Sequence, residues 1–229
     1  MAINLPKYVE FPADAEELNQ TKERFYALSA FPGVVDCIDG TKVRIQAPTW
    51  KEYEYVNRKG YHSLNIQIIC NAECRIINCV VKWPGGTHDA RILRESSIYR
   101  EFEEGLHEGT ILGDSGYPLR HWLMTPILAP TCGAEERYNS SHRTTRTVNE
   151  RCNGILKRRF QCLHGELRVS SERAYSIIAA CIILHNRAVD PVDVEDLSEE
   201  PHNDGGLINT PSTRAALMRQ RIISSHFSH

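Results

Sequence analysis

"GTILGDSGYPL", residues 109–119, admits two readings that lead to different folds. If Ser115 is the reactive residue, Gly113, Asp114 and Gly116 frame a nucleophile turn, and a histidine and a further acid must stand elsewhere in the chain. If Asp114 is the reactive residue, "GTIL" is a short buried strand. Its carboxylate then stands at the strand's end, beside the crevice where open sheets keep their active sites. The rest of the chain decides between them.

The serine reading fails on context. In chymotrypsin-type proteases the run is Gly-Asp-Ser-Gly-Gly-Pro, and here Tyr117 takes the place of the second glycine. His62 and Asp89 precede Ser115 in the right order, but their settings, "GYHSLN" and "GTHDAR", are not those of a protease. The G-x-S-x-G turn of α/β-hydrolases is not met by "GDSGY" either. The long helical periodicities described next do not suit a fold of two β-barrels.

Residues 13–30 carry Ala15, Leu18, Phe25 and Leu28 on one helical face, with Pro12 near the start and Phe31-Pro32-Gly33 as the stop. "VVDCID" (34–39) is joined through Gly40-Thr41 to "TKVRIQA" (41–47), where Val43, Ile45 and Ala47 alternate with Lys42, Arg44 and Gln46 as in a half-buried strand. "HSLNIQIIC" (62–70) and "CRIINCVVKW" (74–83) read as two further strands around a turn at 71–73. Residues 87–104 switch to helical spacing, with Ile92, Leu93, Ile98 and Phe102 on one face. After the strand that ends at Asp114, "RHWLMTP" (120–126) reads as a short helical turn and "PILAP" (126–130) as a fifth strand. Helices are expected over 144–160 and 172–189, the second apolar almost all round and therefore buried, and a last one over 211–225. Antiparallel strands, a helix, a strand and more helices make an α/β chain with a mixed sheet, the order of the ribonuclease-H-like architecture.

Composition sets bounds on function. The chain has 229 residues, 41% hydrophobic and 24% charged, an ordinary balance for a packed core. No apolar run approaches the ~20 residues of a membrane span, and the first residues lack a secretory pattern. None of the eight cysteines forms a C-x-x-C pair. A zinc site built on Cys162, His164 and a distant pair therefore lacks the usual short spacing, and reduced thiols in a nuclear or cytosolic protein are the expected reading. The net charge of -2 conceals a division: residues 137–173 sum to +6, and residues 190–204 to -7. The basic part points to a polyanion partner, and 190–210 reads as an acidic linker.

Asp39 closes "VVDCID" as Asp114 closes "GTILGD". Two carboxylates at the ends of neighbouring core strands are costly to bury unless a cation lies between them, and a third would complete an oxygen cage for Mg²⁺. Glu150 is the candidate for the third. On a helical wheel it stands roughly opposite the Val148, Cys152, Ile155 and Leu156 stripe, within about 40° of Arg143, Arg146, Gly154 and Lys157. Thirty-five residues separate it from Asp114. Asp89 reads as a cap of the 87–104 helix before it reads as a metal ligand.

Asp39, Asp114 and Glu150 at this spacing resemble the DDE triad of cut-and-paste transposases. "CIDGTKV", "YVNRKGYHSLNIQ", "PGGTHDARIL", "GDSGYPL", "RYNSSHRTTRTVNERCNGILKRRF" and "IILHN" narrow the resemblance to the PIF/Harbinger transposase family, from about Phe11 to Asn186. Two positions depart from the family pattern: Lys42 stands where His is frequent, and the "ERxFG" word reads Glu150-Arg151-Cys152-Asn153-Gly154.

The resemblance implies a DDE nuclease domain over 33–189, after a helical lead-in (1–32) and before the linker and a C-terminal helix or tail (211–229). It implies DNA phosphodiester cleavage with Mg²⁺ or Mn²⁺ held by Asp39, Asp114 and Glu150. Arg143, Arg146 and Lys157 would hold phosphates, as would Arg58, Lys59 and His62 from the sheet side, where a merely basic β-turn is the open alternative. It further implies a Myb-like partner protein, residence in the nucleus and also the cytoplasm, and no membrane association. A homo-oligomer and an N-terminal helix-turn-helix module outside this chain stay open. The competing expectation is a domesticated, catalytically silent DNA- or protein-binding module on the same fold.

Overall fold

The computed structural model describes residues 9, 11, 14–189 and 211–228. The whole acidic linker, 190–210, and Pro12 lie outside the described residues.

Eleven residues from Val34 to Arg44 form one strand, β1, running straight through Gly40-Thr41. β2 (Ser63–Cys70) and β3 (Ile76–Pro84) follow, each antiparallel to its predecessor. β4 (Thr110–Leu112) lies parallel to β1, and β5 (Leu123–Met124) parallel to β4. The sheet order is β3-β2-β1-β4-β5. This mixed five-stranded sheet flanked by helices is ribonuclease-H-like.

Apolar residues of β1 split between the two faces, as expected of a central strand covered on both sides. Val34, Cys37 and Val43 join the core built by α1 (Ala15–Ser29), α5 (Gly133–Arg159), α6 (Ser171–Ala188) and α7 (Thr213–His226). Val35 and Ile38 join a smaller core under α3 (Asp89–Arg94) and α4 (Ser97–Glu103). A short helix, α2 (Glu52–Tyr55), sits between β1 and β2. Five cysteines, Cys37, Cys70, Cys74, Cys152 and Cys181, are buried, where a thiol packs as a small hydrophobe. No helix among the described residues is long and apolar enough to cross a membrane.

Five sequence expectations need correction. The helix over 87–104 is two helices, because Ser96 accepts from Tyr99 N and so starts α4 afresh. "RHWLMTP" contains strand β5 instead of a helical turn, because Leu123 and Met124 complete the parallel edge beside Ile111 and Leu112. "PILAP" is correspondingly not a strand. Helix α5 begins eleven residues before 144, at Gly133, where Tyr138 fills the core and donates to Thr125 O at 3.0 Å. α6 is not buried all round: it packs on α5 and the edge strand β3, and Leu184 stays 52% exposed.

The "IILHN" end of α6 has a structural task. Asn186 accepts from Ile76 N at 2.8 Å and donates to Ile76 O at 2.6 Å, and His185 Nε2 lies 2.9 Å from Cys74 O. These side chains satisfy the backbone where β3 starts at the sheet edge.

Candidate active site

The length mismatch between β1 and β4 opens the site. β4 pairs with β1 only as far as Cys37 opposite Leu112. Beyond that point β1 continues to Arg44 with β2 as its sheet neighbour. The far end closes again where Leu167 N donates to Arg44 O at 3.0 Å and Gln46 N to Leu167 O at 3.1 Å. Between these ends lies a notch. Asp39 enters it from β1, and Asp114 enters from the loop two residues past β4.

A cavity of about 400 Å³ occupies this notch, and its lining includes Asp39, Asp89, Asp114, Lys42, Arg58 and Lys59. Asp114 is held by its own turn, Oδ1 accepting from Gly116 N at 2.9 Å. Asp89 is the first residue of α3, and its Oδ1 accepts from Asn65 at 2.7 Å. Gly40 makes room for it, since a Cβ there would come within 2.5 Å of Asp89 Oδ1. A tight turn that also lines the cavity presents Arg58 and Lys59 to solvent. Buried Asn57 anchors that turn, accepting from Lys59 N at 2.9 Å and donating to Ser63 Oγ at 2.9 Å. Gly60 supplies the positive φ of 77° that the turn requires.

Burial pushes the Asp39 carboxyl up to about 7; Arg146 opposes this, while Asp114 and Asp89 add to it. The three aspartates therefore sense one another's charge. Burial likewise draws Arg146 down, and Asp39, then Asp114, Cys37 and Glu150 more than restore it, leaving it above its ordinary value. Several polar atoms around these acids are buried without protein hydrogen-bond partners: the Tyr117 hydroxyl, the Gln67 amide beside Gly40, Asn153 Oδ1 and Arg146 Nε. Such a concentration of unmet polar demand marks a place for water or an ion. Among the described residues, no group of three or more His, Cys, Asp or Glu stands close enough together to hold a metal ion.

α5 supplies the remaining wall. Asn149 donates to Cys37 O at 2.7 Å and to Ile68 O at 3.2 Å, fixing the helix against β1 and β2. That register brings Arg146 Nη2 to 3.4 Å from Asp39 Oδ1 and Asn153 Nδ2 to 3.4 Å from Asp39 Oδ2. Arg146, whose side chain is only 14% exposed, thus faces the carboxylates. Glu150 is half-buried one turn away, within electrostatic reach of Arg146, and is not among the residues lining the cavity. Arg143 is exposed and Lys157 half-buried. His62 lies 2.9 Å from Glu52 instead of in the cavity. Ser115 has no histidine or other base at its hydroxyl among the described residues, which removes the nucleophile reading.

The DDE superfamily endonuclease family matches residues 38–186, from the residue before Asp39 to the Asn186 that holds β3. The chain belongs to this family. "Putative nuclease HARBI1" of Bos taurus is 37% identical over 236 residues, covering 97% of this chain and 67% of that protein. The protein of the same name in Homo sapiens is 36% identical, with the same coverage. "Protein ALP1-like" of Arabidopsis thaliana is 28% identical over 203 residues, covering 81% of this chain and 50% of that protein. No solved structure matches the chain.

In this member of the family the structure brings Asp39 and Asp114 together, adds Asp89, and leaves Glu150 beside Arg146 instead of in the cavity. Sequence reasoning missed Asn153 and Asn149. A signal for them was present: polar residues at i and i+4 beside the Val148–Cys152 stripe have no reason to face a core unless they meet backbone or acids there.

Proposed function

We propose that the chain is a metal-dependent nuclease that hydrolyses phosphodiester bonds in DNA. The observation that carries this reading is the pairing of Asp39 with Asp114 in one cavity whose lining also carries the cations Lys42, Arg58 and Lys59. A carboxylate pair of this kind suits a hard divalent cation, and a phosphate needs the opposite sign beside it. Asp39 and Asp114 would hold Mg²⁺ or Mn²⁺, with Glu150 as the third ligand on the strength of the family spacing. The bound ion supplies Lewis acidity and an activated water.

The chain's own residues do the rest. Arg58 and Lys59 hold phosphate oxygens and orient the scissile bond. Arg146 balances the acidic charge at Asp39, and Asn153 fixes that carboxylate's rotation. Water adds to phosphorus, the bond to the 3′ oxygen breaks, and that oxygen leaves as a hydroxyl while the phosphate stays on the 5′ side. A Myb-like partner for target recognition, and residence in nucleus and cytoplasm, are part of this proposal through the family resemblance.

One observation favours the second reading, a catalytically silent binding module: Glu150 stands outside the cavity and Arg146 faces Asp39 in its place. A single assay separates the two. Supercoiled DNA is incubated with Mg²⁺ or Mn²⁺ and the wild type, Asp114→Asn or Ser115→Ala. The nuclease reading expects nicking by the wild type and Ser115→Ala, and loss of about a thousandfold or more in Asp114→Asn. Equal nicking by all three, or by none, sinks it.

A further inference from the structure

The cut phosphodiester is an internal bond of a strand, so the strand must leave the carboxylate cavity. A second groove, of about 220 Å³, is lined by Lys42, Arg44, Tyr61, Lys157, Leu163 and His164. It shares Lys42 and Tyr61 with the carboxylate cavity, so the two are continuous along the open edge of β1. Its lining contains no Asp or Glu. Three parts of the chain converge on it: the C-terminal end of β1 with Lys42 and Arg44, the end of α5 with Lys157, and the segment after the 3₁₀ turn Gln161–Leu163 with His164. At the junction the Arg44 guanidinium lies 4.5 Å from the centre of the Tyr61 ring, a flat cationic and aromatic surface.

We infer that this groove is the exit channel for one DNA strand, with Lys42, Arg44, Lys157 and His164 holding successive phosphates and the Arg44–Tyr61 stack supporting a sugar or base. The inference rests on the nuclease reading and adds a direction to it. The strand runs from Asp39 and Asp114 across Lys42 toward the end of α5, away from Arg143. A cationic lining suits phosphate oxygens, and an aromatic face beside it is the usual platform for single-stranded nucleic acid. Arg44 and His164 are exposed, so a backbone reaches them without rearrangement of the core.

The test uses the full chain carrying Asp114→Asn, so that binding is read without cleavage. Fluorescence anisotropy follows a labelled single-stranded and a labelled duplex oligonucleotide across a salt series. The variants are Arg44→Glu with Lys157→Glu, the milder Arg44→Gln with Lys157→Gln, and a control, Arg173→Glu, at an exposed position of α6. Circular dichroism confirms that each is folded. The expected result is a more than tenfold loss of affinity in the groove variants, with the salt slope shallower by about two, and no change in Arg173→Glu. Unchanged affinity and slope in folded groove variants overturn the channel and leave the nuclease reading standing. An equal loss in Arg173→Glu assigns the effect to net charge and also overturns it. A parent that binds no DNA overturns both.

Discussion

The two halves of β1 have the same backbone and opposite chemistry. From Val34 to Cys37 the strand pairs with β4, β2 joining it at Cys37, and every residue from Val34 to Ile38 is buried. From Asp39 to Arg44 the β4 side is open, and Asp39, Gly40 and Lys42 line a cavity. Each half carries an aspartate. Asp36 is fully buried, neither carboxyl oxygen has a hydrogen-bond partner, and burial raises its pKa well above the ordinary value. Asp39 is 16% exposed at its side chain and faces Arg146, Asn153 and two further aspartates. Two residues of chain separate a carboxyl kept neutral by its surroundings from one arranged around a charge. What separates them physically is the end of β4 at Leu112.

The largest expected effect tests the open half directly. Asp39→Asn should reduce DNA nicking by about a thousandfold or more, because an amide is a poor ligand for a hard cation. Asp36→Asn should leave nicking within about twofold, since surface and core changes away from the site act mainly through stability. Comparable losses in the two variants would erase the contrast between the halves.

A smaller effect sharpens it at the boundary. Gly40→Ala would place a methyl within 2.5 Å of Asp89 Oδ1 and 2.8 Å of its Cγ. Asp89 has little room to retreat, because it is anchored by Asn65 at 2.7 Å and starts a helix. Nicking should fall about ten- to a hundredfold, the range for residues that orient ligands, and stability by about 1–3 kcal/mol, the usual cost of overpacking. At an unhindered strand position the same change would stabilise by about 0.5–1 kcal/mol. A stabilised, fully active Gly40→Ala would therefore show that Asp89 plays no part in the site.

The contrast also shows what was legible in the sequence. Alternation along 41–47 and the apolar word "VVDCID" predict two strand runs joined at Gly40-Thr41, whereas β1 is unbroken and Asp39 stands in its middle; strand-end placement holds for Asp114 alone. Glu150 follows from its wheel position, its cationic neighbours and its family spacing, on the premise that the apolar stripe is the whole core side of α5. That premise fails because α5 packs against β1, β2, α1, α6 and α7, so its buried arc is far wider than one apolar stripe. Asn149, Asn153 and Gly154 are all buried, and Arg146 is turned inward. Hydrophobic periodicity reports only the apolar part of such an arc. Asp89 reads in the sequence as a helix cap, whereas His88 is the cap and Asp89 the first helical residue; local sequence cannot show that Gly40, 49 positions earlier, clears space for its carboxylate. Likewise β5 was invisible: two residues show no period, and only their pairing beside β4 makes them a strand.

The smallest expected effect probes the closed half, through pH. Asp36→Asn replaces a carboxyl with an amide of nearly the same shape, so packing is preserved. In the folded protein burial raises the Asp36 pKa well above 3.8, so the group keeps its proton where the unfolded chain has lost it. Folding then takes up a proton, and the stability that Asp36 allows is complete below the unfolded value and is lost as pH rises toward the folded one. Asn carries no such penalty. Wild type and variant should therefore be closest near about pH 4 and diverge as pH rises, the variant gaining by up to about 1.4 kcal/mol per pH unit until the folded pKa is passed. Urea unfolding of both proteins from about pH 5 to about pH 8 measures the gap. A gap that widens with pH establishes that β1's closed half holds a neutral acid, and that its open half alone works with charge. A constant gap means that Asp36 is ionised in the fold, with a counter-charge able to hold it so, and the two halves of the strand are then chemically alike.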